Sequence, residues 1–146
     1  GDHRDLHLSI RRQRQMCIRD RFMIMIEKNI KLFSIIIMSI FYVFVGVNHF
    51  TTPEWFLQIV PPCLPYKLEL VYISGFLEIL LGVMLLIPAT RFYAAWGLIL
   101  LLIAVYPANI YLAQTNGAVM NTTPLVAWGR LPFQFVFIAL ANWHIK

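Results

Sequence analysis

The sequence predicts an all-α membrane protein, a bundle of four transmembrane helices, on three observations. First, 60% of the 146 residues are hydrophobic and 13% are charged, and mean hydropathy is +0.70. A soluble domain is about half apolar and a quarter charged, so this chain is too apolar for that class. Second, four segments, about residues 32–50, 69–88, 92–113 and 124–143, carry two charges at most. A bilayer core of ~30 Å takes about 20 residues at ~1.5 Å each, and lipid supplies no backbone partners, so each segment is read as a spanning helix. Third, Lys28, Lys31, Arg91 and Lys146 fall at one set of span ends and Lys67 at the other. By the positive-inside rule this gives an N-in, C-in topology.

Residues 1–21 stand apart. They hold six of the eight arginines, three of the seven acidic residues and two of the four histidines. The string GDHRDLHLSIRRQRQMCIRDR resembles an in-frame translation of a transposase-type sequencing adapter, with Leu8, Ser9 and most of Ile10 as its index. A transit peptide would be poor in acids, and this segment has three aspartates. It is read as a non-native, disordered segment, with residues 22–146 as one transmembrane domain starting at Met23 or Met25. Of those 125 residues 81 are hydrophobic and ten are charged, six basic and four acidic. The net charge of +2 gives nucleic-acid binding no support. Cys17 goes with the first segment, and Cys63 alone cannot form an internal disulfide or a CxxC redox pair.

The first span ends at Asn48-His49-Phe50. The first outer loop, 51–67, is expected to hold a short interfacial helix, with Thr52 as cap, Pro53 at its first position and Glu54 behind it. Trp55, Phe56, Leu57, Ile59 and Val60 give that helix an apolar face, and the Pro61-Pro62-Cys63-Leu64-Pro65 tract ends it. Trp55, Phe56, Pro61 and Pro62 are the candidate outer-loop interface, with a membrane anchor and a partner-binding lid as the two readings. The second span is interrupted by one charge, Glu78, and closed by Pro88. Residues 88–91 turn tightly into the third span, which is uncharged and has Pro107 as a kink near its end. An uncharged outer loop, 114–123, leads to the fourth span, which holds Arg130 and Pro132 in its first third.

Phosphate loops, dinucleotide turns, zinc-protease helices and nucleophile elbows are all missing, so no catalytic residue is assigned and an enzymatic role stays open. Two histidines and one cysteine, far apart, do not predict a metal site. His49 and His144 fall at opposite faces and cannot both ligate one haem. What remains is a polar cluster at membrane depth: His49, Glu78, Asn109, Arg130 and Gln134. Glu78 lies roughly 13 Å in from Glu69, and Arg130 roughly 9 Å in from Pro124, both in the outer half. Gly75, Glu78 and Gly82 share one face of the second span, and the glycines admit a close neighbour. Arg130, Gln134, Phe137 and Ala141 form a stripe on the fourth. Charges at this depth face a partner or a cavity. One reading is a substrate, quinone or proton site. The other is an internal Glu78–Arg130 pair, completed by Asn109 and His49, that specifies the bundle.

The phrases GVNHFTTPEWFLQIVPPCLPY, LVYISGFLEILLGVMLLIP, AAWGLILLLIAVYPANIY and RLPFQFVFIALANW resemble the DoxX-like family of small four-helix membrane proteins. The resemblance covers roughly residues 44–143 and is most specific around His49, Glu78, Asn109 and Arg130-Leu131-Pro132. It implies a bacterial inner-membrane protein, a non-catalytic or accessory subunit of a redox-linked complex with a membrane or soluble oxidoreductase as partner. Relatives that relay thiols use paired cysteines, which this sequence lacks. The rival expectations are an enzyme component holding a quinone in a Glu78/Arg130 cavity, and a small-solute or proton pathway. No cofactor other than quinone is expected, and partner, substrate and oligomeric state are left open.

Overall fold

The computed structural model describes the backbone of residues 2–145 and the side chains of residues 14–145. Lys146, counted above toward the topology, lies outside them, as do the side chains of the first 13 residues of the adapter-like segment. Five α-helices follow in order: α1 Asp2–Thr51, α2 Pro53–Leu57, α3 Lys67–Leu86, α4 Arg91–Gln114 and α5 Pro124–Ile145. Among the described residues there is no strand. Four of the helices are long and apolar enough to cross a membrane, with boundaries within a few residues of those expected for the second, third and fourth spans.

The start of the chain differs from expectation. Residues 2–21 were read as disordered, yet α1 is helical from Asp2 onward. Their many arginines and glutamines are good helix formers, and no proline or glycine interrupts residues 2–45. The chain divides into two compact units, Gly1–Ser34 and Ile35–Lys146. Within the first unit the described side chains are almost all exposed, including Phe22, Met23 and Ile24.

The second unit is built on helical stripes. In α1 the buried positions are Ile35, Met38, Ser39, Tyr42, Gly46 and His49; in α3 they are Val71, Gly75, Glu78, Gly82 and Leu85. Both stripes repeat at three- and four-residue steps, the periodicity of one helix face. The two faces meet where side chains are missing. A Cβ on Gly46 would sit 2.7 Å from the Gly75 carbonyl oxygen, and one on Gly75 would sit 2.5 Å from the Cβ of His49. Ser39 Oγ donates to the Gly82 carbonyl at 2.7 Å, a polar contact between helices that this close approach permits. Gly97 plays the same part between α4 and α3, where its missing Cβ leaves room for Leu81. α4 packs on both α3 and α5. α5 returns to α1 through Phe137, stacked on Phe41 at 5.1 Å and edge-on to Tyr42 at 6.2 Å. The ring order is therefore α1, α3, α4, α5, and α3 and α5 stand on a diagonal. The main core gathers Ile35, Met38, Tyr42, Leu85, Leu98 and Ala141 with their neighbours.

The connections are tied by side chains. Thr90 Oγ1 donates to the Met84 carbonyl at 2.8 Å, and Arg91 Nε to the Leu85 carbonyl at 3.1 Å, so the C-terminal carbonyls of α3 find donors in the 88–91 turn. Between α4 and α5 the chain reverses through left-handed backbone at Asn116, Gly117 and Asn121, with a single 3-10 turn at Ala118–Met120. At Gly117 a Cβ would lie 2.6 Å from the Thr122 carbonyl oxygen, so glycine is required there on space as well as on φ. Thr52 stands at the cap of α2 but makes no side-chain cap. Its hydroxyl reaches back to the Asn48 carbonyl at 3.1 Å instead, an oxygen that also accepts the Thr52 backbone N–H at 2.9 Å.

Candidate functional site

The five expected polar residues come together. His49 on α1, Glu78 on α3, Asn109 on α4, and Arg130 and Gln134 on α5 all line one cavity of about 560 Å³. Around them the walls are apolar, with Val45, Phe56, Ile59, Leu77, Leu101 and Phe137 among the lining. Ile73 and Phe133, both part of the lining, are also exposed.

Within that cavity the partners are not the ones the sequence suggested. Glu78 and Arg130 form no ion pair among the described residues. Glu78 stands beside His49 instead, whose Nδ1 lies 3.5 Å from Glu78 Oε2 without a hydrogen bond between them. The reason is the ring order. Arg130 is on α5, diagonal to α3, whereas the glycine seam brings α1 so close to α3 that the residue one helical turn from Gly75 faces His49. The His49 ring is fixed on both sides. Its Nδ1 is 2.9 Å from the Val45 carbonyl, which can only accept, so Nδ1 carries the proton and donates. Its face stacks on Phe56 at 3.7 Å and 22°. Among the described residues, buried Glu78 Oε2 has no hydrogen-bond partner, and the same holds for the Tyr42 hydroxyl.

Asn109 and His49 were expected to complete a Glu78–Arg130 pair, and Asn109 does something else. Its Nδ2 donates to Gln134 Oε1 at 2.7 Å, and Gln134 Nε2 donates to the Leu102 carbonyl. Both amides face each other because α4 and α5 are ring neighbours. Pro107 lies inside α4 without ending it; as a proline it supplies no N–H to the preceding turn. Arg130 has soft partners only: Nη1 reaches the Met120 sulfur at 3.7 Å, and the guanidinium lies 5.8 Å from the centre of the Trp55 ring. A cation over an indole face is attracted by the ring quadrupole, but neither partner is an anion.

The proposed outer-loop interface divides. Phe56 is buried against His49 and, with Pro61, lines the cavity, so both turn inward. Trp55 is half exposed and sits over Arg130, and Pro62 is exposed. Phe56 turns inward because the α2 helix is a short one whose apolar side has only the open end of the bundle to pack on. Tyr42 was not singled out from the sequence, although it lies two helical turns before His49 on the same stripe. A buried hydroxyl in an otherwise apolar run was the signal available.

Among the described residues no three His, Cys, Asp or Glu side chains assemble as a metal site. A family described as a domain of unknown function, DUF8561, matches residues 38–145. The chain belongs to this family. The matched region holds His49, Glu78, Asn109, Arg130 and Gln134. No curated protein and no solved structure matches the chain.

Proposed function

We propose that this is a DoxX-like membrane protein that acts as a binding subunit, holding a lipid-soluble molecule with a polar head in the cavity between its four spanning helices. The observation that carries the reading is the convergence of five polar side chains from four helices on a cavity of about 560 Å³ with apolar walls. Ligand pockets are commonly about 300–1,000 Å³, mostly apolar, with a few convergent polar groups. Polar and charged residues are costly inside a bilayer and mark functional paths or sites. The outward side chains fit the same setting: Leu125 is 84% exposed and Phe133 65%, surfaces that water would not tolerate in such number. Ile73 and Phe133, exposed residues of the lining, would then face acyl chains.

In this reading the protein sits in the bacterial inner membrane with both ends in the cytoplasm and α2 at the outer interface. It serves a redox-linked complex as a non-catalytic subunit, with a membrane or soluble oxidoreductase as partner and quinone as one ligand the cavity suits. The test is purification in mild detergent with mass spectrometry of the bound lipids and proteins. The expected result is a lipophile retained near one per chain by the wild type and lost by Arg130→Ala. A clean apoprotein without ligand or partner overturns the reading. A reporter fused after Lys146 should read as cytoplasmic; an external signal would overturn the orientation.

A further inference from the structure

We infer that the cavity takes a neutral, ring-bearing lipophile that offers both a hydroxyl donor and an oxygen acceptor, the hydroxyl to Glu78 and the acceptor to Arg130. This rests on the binding reading above and narrows its ligand class. The argument starts from which polar groups are already used. Gln134 and Asn109 bond each other, and Gln134 also bonds the Leu102 carbonyl, so these amides frame the site. His49 spends its Nδ1 proton on the Val45 carbonyl. Glu78 is 9% exposed, and its Oε2 is left with no hydrogen-bond partner. An ionised carboxylate only accepts, so in that state the missing partner of Oε2 is a donor. The Tyr42 hydroxyl, also without a partner and also on the cavity wall, can add to that contact.

Arg130 sets the opposite requirement. A guanidinium has donors only, and its partners here are a thioether sulfur and an indole face. An oxygen acceptor from a ligand is the partner it lacks. Glu78 and Arg130 stand on diagonal helices and line the same cavity, so a single molecule in it can meet both. That molecule should be neutral. The wall offers one acidic and one strongly basic side chain, and a charged ligand would gain from one while opposing the other in a poorly screened interior. A flat ring is favoured because the aromatic side chains of Phe41, Tyr42, Phe56, Phe133 and Phe137 line the same space, and rings prefer stacked or edge-on neighbours.

The test uses the purified full chain in lipid nanodiscs at pH 7 and three probes: decyl 4-hydroxybenzoate, decyl 4-methoxybenzoate and decylbenzene. The first two differ in the donor and in one added methyl group; the third has neither polar group. Calorimetric titration should show the hydroxy ester bound at least about tenfold tighter than the methoxy ester, the scale of one hydrogen bond to a charged group. Glu78→Ala should bring the two esters within about twofold of each other, and Arg130→Ala should weaken both esters while leaving decylbenzene unchanged. Equal affinity of the two esters for the wild type overturns this inference and leaves the cavity reading standing. Failure of all three probes to bind overturns the cavity reading itself. The wild-type comparison decides between these outcomes even if a variant does not fold.

Discussion

Replacing Gly75 by alanine tests the glycine seam on which the site depends. The added Cβ would lie 2.5 Å from the Cβ of His49 and 3.0 Å from the Gly46 carbonyl oxygen. Ordinary contact begins near 3.4 Å, so α1 and α3 must separate by about 1 Å. The obstructing atoms are backbone and a Cβ, which cannot swing aside as the end of a long side chain can. Overpacking of this kind costs ~1–3 kcal/mol, less the several tenths of a kcal/mol that alanine recovers as a better helix former than glycine. A net loss of ~1–2 kcal/mol is expected, and the separation should also loosen the His49–Glu78 contact. Gly129→Ala is the matched control. Nothing lies within 4 Å of its would-be Cβ, so only the helix gain remains. Stability would be compared by equilibrium unfolding in one detergent, and ligand retention by mass spectrometry. If Gly75→Ala is as stable as Gly129→Ala, the close approach of α1 and α3 is wrong and the reasoning about Glu78 falls with it.

Other outcomes follow from single contacts. Ser39→Ala removes a 2.7 Å hydrogen bond to the Gly82 carbonyl and should cost ~1 kcal/mol in the same unfolding assay; no loss would show that the bond contributes nothing. A double-mutant cycle between Asn109→Leu and Gln134→Leu should show a coupling of ~0.5–1.5 kcal/mol, the range for hydrogen bonds between spanning helices, and additivity would count against the pair. Cycles pairing Glu78→Gln with His49→Ala should be non-additive and stronger than the cycle pairing Glu78→Gln with Arg130→Gln, because only the first pair is in contact; the reverse order would restore the Glu78–Arg130 pairing. A chain starting at Met23 should fold and insert as the full chain does, since the unit Ile35–Lys146 lies wholly downstream. Loss of folding would give the first residues a structural role.

The four long apolar helices were legible in the sequence, since span length and the scarcity of charge are local properties set by bilayer thickness and backbone hydrogen bonding. The polar residues that line the cavity were legible too. His49, Glu78, Asn109, Arg130 and Gln134 stand out against apolar runs, and counting residues at ~1.5 Å each brings them to similar depth. The same arithmetic says nothing about rotation around a ring of helices. Depth alone made Glu78 and Arg130 look like partners, but the tertiary structure set α3 and α5 on a diagonal and gave Glu78 to His49. Neighbours in the ring were chosen by surface shape. Gly46, Gly75 and Gly82 let α1 and α3 approach until their backbones touch, and the Asn109–Gln134 bond joins α4 to α5. The inward turn of Phe56 was decided the same way, by the aromatic face of His49 waiting at the end of α1. Hydrophobic pattern fixes which residues sit at membrane depth, whereas the fit of one helix surface against another decides which of them meet.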